Sequence, residues 1–276
     1  MNRSRGAACR GFLLQMIYYL LSKQVSFPLL GTILNSIYYT LIYAGIVVSC
    51  IYIYKRLTEI PGYSRRRIAV FVSLVFLFSF PAGIISSRAA NMFYYPASLW
   101  NADFFWEQFM HGKNQTFHAS LVLPAILIFV LMSVLKIRYR EGLDTIFLHV
   151  PMAHAFGRTG CFLVGCCYGN RISFSFLGKE ISFDNPVPLY EVIGNILLYF
   201  FLKRCFGRIY RTENGNGKGS VAALYLIGYG IMRFTFEMIR KEKIVAFGLT
   251  QAQLVMIVFI LTGGLILYGM KRSRNV

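Results

Sequence analysis

Charged side chains are scarce in this chain. They make up 14% of 276 residues, against 56% hydrophobic and 16% aromatic. That composition excludes an ordinary soluble domain, which needs a solvated polar surface, and leaves an integral membrane protein. Acidic residues are scarcer still, 11 against 29 Lys and Arg, giving a formal net charge of +18. Internal repeats, low-complexity tracts and a second globular domain are lacking, so a single membrane domain over residues 1–276 is expected. The six cysteines include no C-x2-C pair, which argues against a zinc site. Nor are they spaced as a secreted disulfide framework: Cys9, Cys50 and Cys205 are scattered, and only Cys161, Cys166 and Cys167 cluster. His149 and His154 are five apart and share no helix face, so no metal is expected.

What is present is apolar sequence in long runs. They cover residues 30–54, 68–85, 119–135, 145–163, 188–202, 220–238 and 252–270. Most are close to the ~20 residues that cross a hydrocarbon core. The expected fold is therefore all-α, with about seven transmembrane helices. The earlier run at 11–21 is short and follows Arg3, Arg5 and Arg10. It reads as an interfacial helix lying on the membrane, with a signal-like segment as the alternative.

The positive charge falls in alternate loops. Lys55, Arg56, Arg65, Arg66 and Arg67 follow the first run, Lys136, Arg138 and Arg140 the third, and Lys203, Arg204, Arg208, Arg211 and Lys218 the fifth. Lys271, Arg272 and Arg274 follow the last. By the positive-inside rule the first spanning helix enters from outside and the C-terminus is cytoplasmic. The excess charge is a topology signal, with anionic lipid as a partner and nucleic acid excluded. The longest outward stretches are then 88–117 and 169–187, where a polar acceptor is expected to dock.

Ionisable side chains inside the runs are the functional candidates, because charge at membrane depth is costly and marks substrate paths. Arg158 lies among Gly157, Gly160 and Gly165, glycines that also suit close helix packing. Arg233, Glu237 and Arg240 fall at i, i+4 and i+7 on one helix face. They form either an intrahelical ion pair or, with two arginines to one carboxylate, a phosphate site, since the guanidinium fork bonds phosphate oxygens in pairs. His118 opens the third run beside the outer face, where imidazole can accept a thiol proton near neutral pH. Tyr39 and Tyr43 lie one turn apart, as core aromatics or as hydroxyls facing a ligand. The three clustered cysteines suit packing, with a disulfide or redox role as the alternative.

In order along the chain, several segments resemble motifs of the prolipoprotein diacylglyceryl transferase family. Tyr39-Thr40-Leu41-Ile42-Tyr43 is similar to its Tyr-Gly-Leu-Met-Tyr segment, and Arg88 to an arginine preceding an aromatic run. Thr116-Phe117-His118 resembles the start of Ser-Phe-His-Gly-Gly. Gly157-Arg158-Thr159-Gly160 resembles the opening of Gly-Arg-x-Gly-Asn-Phe-x-Asn-Gly-Glu, with Cys161, Val164 and Cys166 where that signature has Asn, Asn and Glu. The segment 186–191, ending in Leu189-Tyr190-Glu191, resembles His-Pro-Ser-Gln-Leu-Tyr-Glu, with Asn185 in place of the histidine. The stretch from Tyr225 to Glu237 resembles the sixth-span motif, and Gly248-Leu249-Thr250-Gln251-Ala252-Gln253 resembles Gly-Leu-Ser-Met-Gly-Gln.

The resemblance implies a transferase of the bacterial cytoplasmic membrane. Its donor would be phosphatidylglycerol and its acceptor the lipobox cysteine of a prolipoprotein signal peptide, joined as a thioether on the outer side. It implies His118 as base, Arg158 and Arg233 as phosphate holders and Glu237 as their orienter. Tyr39, Arg88, Gly157, Gly160, Cys161, Cys166, Tyr190, Glu191, Arg240 and Gln253 would line the substrates, without metal or organic cofactor. A relative acting on another acceptor, or a lipid-binding protein without turnover, are the alternatives.

Overall fold

The computed structural model describes residues 28–91, 101–111, 119–176, 179–211, 217–240 and 244–272. The segment expected as an interfacial helix, 11–21, and His118 lie outside them. The expected apolar runs coincide with helices. These are α1 (Pro28–Glu59), α2 (Arg65–Asn91), α4 (Val122–Val134, entered through a 3-10 turn at Ala119–Leu121), α5 (Tyr139–Val164), α6 (Val187–Arg211), α7 (Ser220–Glu237) and α8 (Gln251–Arg272). A further short helix, α3 (Ala102–His111), lies within the aromatic stretch after α2.

Among the described residues, three helical segments are long and apolar enough to cross a membrane: Ser36–Glu59, Arg65–Ala90 and Gln251–Arg272. The others depart from that pattern for identifiable reasons. At 13 residues α4 is short. The 26-residue α5 includes Glu141, Asp144 and Arg158, and the 25-residue α6 includes Glu191, Lys203, Arg204 and Arg208. At 18 residues α7 reaches about 27 Å, and it carries Arg233 and Glu237. Outward-facing apolar side chains such as Leu77, Leu197 and Leu265 belong to the surface a bilayer covers.

Helix α5 is the hub. It packs against α1, α6 and α7, while α8 packs on α7 and α4 on α2. Two apolar cores share it. One gathers Ile53, Leu57, Ile68, Phe71 and Met132 around Ile146, and the other gathers Leu202, Val221, Tyr225 and Met256 around Leu148. Small residues bring α1 and α5 close together: a Cβ on Gly160 would stand 2.8 Å from the Tyr38 ring, and one on Gly45 2.7 Å from Phe156.

At the N-terminal end of α5 the basic loops meet. Tyr63 donates its hydroxyl to Glu141 (2.9 Å) and accepts the Arg138 backbone N–H (2.9 Å). Burial lifts that hydroxyl above the usual phenol range. Arg138 and Lys218 both pair with Glu141 at 2.8 Å. Asp144, fully buried, accepts the backbone N–H of Gly219 (2.7 Å) and Ala222 (2.9 Å) and the Tyr210 hydroxyl (3.1 Å). It thus caps α7, whose own N-cap residue, Gly219, has no side chain to do so.

Two short hairpins depart from the all-helical expectation. Strands β1 (Arg171–Phe176) and β2 (Lys179–Asp184) pair antiparallel, with Arg171 opposite Asp184. Their sequence explains them, since Ile172, Phe174 and Phe176 alternate with Ser173 and Ser175 at the period of a strand. Strands β3 (Ile244–Ala246) and β4 (Leu249–Thr250) are joined by Phe247 and Gly248, both at positive φ, as a tight two-residue hairpin turn requires. Both hairpins belong to the end of the molecule opposite the basic loops.

Candidate functional site

The C-terminal end of α5 meets the start of α6 and the end of α7, and each brings a charged side chain. Glu191, from α6, lies between the arginines. Arg158 Nε is 2.6 Å from its Oε2, Arg233 Nε 3.5 Å from its Oε1, and one Arg240 terminal nitrogen 3.9 Å from its Oε1. Arg233 also pairs with Glu237 one turn along α7, and Arg240 Nε stands 3.9 Å from the same carboxylate. Glu191, Arg233 and Glu237 are buried. Buried ions persist only where partners offset their desolvation. Three guanidinium groups share two carboxylates here, so the cluster keeps one positive charge in excess, a setting that suits an anionic ligand.

A second layer fixes Glu237. Thr250 donates its hydroxyl to Glu237 Oε1 at 3.1 Å. The same residue starts α8 through a reciprocal cap: the Gln253 N–H bonds Thr250 Oγ1 (3.2 Å), and Gln253 Oε1 accepts the Thr250 N–H (3.0 Å). Gln253 therefore holds the residue that holds Glu237.

The backbone beyond α5 ties the three elements together. Helix α5 ends in a left-handed Gly165, with Gly165 N–H bonded to Phe162 O and Cys166 N–H to Cys161 O, the paired bonds of a Schellman cap. Gly169 N–H then bonds Asn185 O (2.8 Å), and Asn170 N–H bonds Ile239 O (2.8 Å). A Cβ on Gly169 would collide with the Ile239 carbonyl, so only glycine permits this approach. Cys167, between the cap and that anchor, adopts φ 64°. The result is a cluster that linear spacing conceals: the sulfurs of Cys161, Cys166 and Cys167 all lie within 4.8 Å of one another.

The remaining expected site residues fall in different places. Arg158, Glu191, Arg233, Glu237 and Arg240 come together, with Cys161 and Cys166 at the same helix end. Gly157 and Gly160 face α1, Gly157 toward Ile42 and Gly160 toward Tyr38. Tyr39 and Tyr43 are exposed on α1, and it is Tyr38 that faces Gly160 and lies within electrostatic reach of Arg158 and the thiols. The Tyr190 ring tilts against Phe236. Arg88 ties α2 to α3, donating to the carbonyls of Phe109 and Met110. His149 is buried, its Nδ1 2.8 Å from the Thr145 carbonyl, and the His154 ring packs on Tyr229. Residues missed from sequence include Thr250 and Tyr38. Thr250 had a signal, the Thr-x-x-Gln spacing of a capping box, whereas nothing in one sequence separates Tyr38 from Tyr39.

A 27% identical relative, the phosphatidylglycerol–prolipoprotein diacylglyceryl transferase of Streptococcus uberis, aligns over 72% of this chain and 79% of its own length. The protein of that name from Thermotoga petrophila is 28% identical over 82% of this chain and 78% of its own length. The phosphatidylglycerol–prolipoprotein diacylglyceryl transferase 2 of Clostridium perfringens is 32% identical over 139 residues, and there the chain spans only about half of the relative, 54%. The family model for prolipoprotein diacylglyceryl transferase matches residues 24–269, nearly the whole chain, and the chain belongs to that family.

Proposed function

We propose that the protein transfers the diacylglyceryl group of phosphatidylglycerol to the lipobox cysteine of a prolipoprotein signal peptide. The observation that carries this reading is the arginine-rich cluster on Glu191 and Glu237, with its excess of one positive charge, inside a chain of this family. The acceptor sulfur attacks the glyceryl carbon bonded to the phosphate oxygen. A C–S bond forms, the C–O bond breaks, and glycerol phosphate leaves with the electron pair. Arg158 and Arg233 hold the phosphate and stabilise its growing charge, Arg240 adds to their field, and Glu191 and Glu237 set their orientation. His118 takes the thiol proton, a role that rests on its motif alone. Arg88, Tyr39 and Tyr190 are assigned to the substrate path by resemblance, and Gln253, which bonds Thr250, to holding Glu237 through Thr250.

The same reading takes the chain as a seven-span protein of the bacterial cytoplasmic membrane. Its first spanning helix enters from outside, and the arginine cluster faces outward. Supporting this, the loops richest in Lys and Arg converge at the opposite end, where Tyr63, Arg138 and Lys218 all bond Glu141.

Membranes containing the protein are expected to convert a lipobox peptide to its thioether when phosphatidylglycerol is supplied. They should also support growth of a strain depleted of its own diacylglyceryl transferase. Absence of both, with expression verified and a working family enzyme alongside, rejects the assignment. Cys161 and Cys166, standing where the family signature has Asn and Glu, favour one variant reading, the same donor with a different acceptor. In that case a deletion strain changes another lipid product while its lipoproteins stay modified.

A further inference from the structure

We propose that Cys161, Cys166 and Cys167 form a zinc site whose fourth position is open to the acceptor thiol. The second half of this inference rests on the transferase reading; the first does not.

The three sulfurs lie within 4.8 Å of one another. A tetrahedral zinc with bonds of about 2.3 Å holds its sulfurs about 3.8 Å apart, so the cluster needs to contract by only ~1 Å. The backbone already carries the cost of assembly. The Gly165 cap reverses the chain, and Cys167 occupies a left-handed conformation unfavourable for a side-chain-bearing residue. The Gly169–Asn185 and Asn170–Ile239 bonds lock the loop that follows. Packing alone does not require a strained residue to close three thiols into one cluster.

Ligand type points to zinc, because thiolates favour it over harder cations. Three thiolates around Zn2+ carry one negative charge, beside an arginine-rich cluster. Arg158 lies within electrostatic reach of Cys161 and Cys167, and Arg240 of Cys167. Three protein ligands and one open position are also the pattern of a reactive zinc rather than a structural one.

The open position matches the chemistry of the proposed reaction. On binding, Zn2+ displaces three thiol protons and keeps a water in the fourth place. An acceptor cysteine replaces that water and gives up its proton to the base assigned above, His118, so it is held as a thiolate at neutral pH. The zinc-bound sulfur then forms the C–S bond as the lipid C–O bond breaks. Glycerol phosphate leaves toward the arginines, and the neutral thioether, a poor ligand, dissociates. No electron transfer is involved. The cysteines that stand in place of Asn and Glu in the signature thereby acquire a role of their own.

The test uses the full-length chain in detergent, reduced, stripped with a chelator and titrated with Co2+ and then Zn2+. One Co2+ per chain, with a sulfur-to-cobalt charge-transfer band that Zn2+ abolishes, is the expected result. Replacing all three cysteines by serine should remove the band. Cys166→Ser alone should weaken zinc binding by more than the ~10–100-fold typical of losing an outer-shell partner. Should the serine chains fail to fold, the unaltered chain still decides the matter, since Zn2+ must protect three thiols from iodoacetamide. A reduced, unaltered chain showing neither the band nor protection overturns the site, as does metal retained without the cysteines. Adding a lipobox peptide to the Co2+ form should shift its visible spectrum, and an unmoved spectrum overturns the open position. A chain that binds zinc yet never makes thioether rejects the transferase reading and leaves the site standing. Equal turnover with the three cysteines replaced by serine overturns the role of the open position and leaves the transferase reading standing.

Discussion

Helix α5 carries buried charge at both of its ends, and the two ends resolve it differently. At the N-terminal end Arg138 and Lys218 both pair with Glu141, while Asp144 is held by neutral donors. The two carboxylates accept from Tyr63, Tyr210 and the first backbone amides of α7. Both carboxylates there are saturated, so the cluster fastens loops and caps a helix. At the C-terminal end three arginines share two carboxylates, and the shared contacts stretch to 3.5 and 3.9 Å. Looser contacts and surplus charge are what a site that must still accept an anion requires. Burial of ions alone does not mark function; the uncompensated remainder does.

The largest expected effect separates the two ends by activity. Arg158→Lys keeps the charge on Glu191 but loses the planar fork, and Arg158→Ala removes both. Thioether formation should fall by roughly 10²–10³-fold in the alanine variant and by a smaller factor in the lysine variant. The lysine variant should keep the parent's thermal unfolding midpoint in detergent. Unaltered turnover in both variants would reduce the arginine cluster to a structural ion network.

Asp144→Ala should act in the opposite way. It orphans the amides of Gly219 and Ala222 at the start of α7, which costs about 2–3 kcal/mol in thermal or denaturant unfolding. The folded fraction should turn over at the parent rate. A selective loss of turnover without loss of stability would erase the distinction between the two ends.

How much of this was legible beforehand follows the same division. The apolar runs survive as helices because nearly every residue in them votes the same way. The hairpins are harder to read, because a strand of six residues is a weak signal beside long apolar runs, although Ser and Phe alternate over Arg171–Phe176. Arg233, Glu237 and Arg240 were readable as one face, since they lie on or just beyond one helix of known period. Glu191 as the centre of the cluster was not, because its partners come from α5 and α7, 33 and 42 or more residues away along the chain. The thiol cluster contradicts intuition from spacing for a related reason. C-x4-C-C is no metal motif on a continuous helix or strand, but a Schellman cap followed by a left-handed residue folds it shut.

The smallest effect tests whether the second layer at the arginine end has any part in activity. Thr250→Val removes the hydroxyl that caps α8 and donates to Glu237, while nearly preserving volume. Loss of the cap alone predicts about 1 kcal/mol of destabilisation and no change in turnover by the folded protein. If the bond to Glu237 also positions Arg233, turnover should drop several-fold beyond that. Thr250→Ser, which restores the hydroxyl, should recover both quantities. Gln253→Ala separates the contributions, because it breaks the reciprocal cap but leaves the Thr250 hydroxyl free to donate to Glu237. Stability lost with turnover intact in Gln253→Ala, together with turnover lost in Thr250→Val, identifies Thr250 as a positioning residue. Parallel losses in both variants would mean that this layer, like the far end of α5, only holds the helices together.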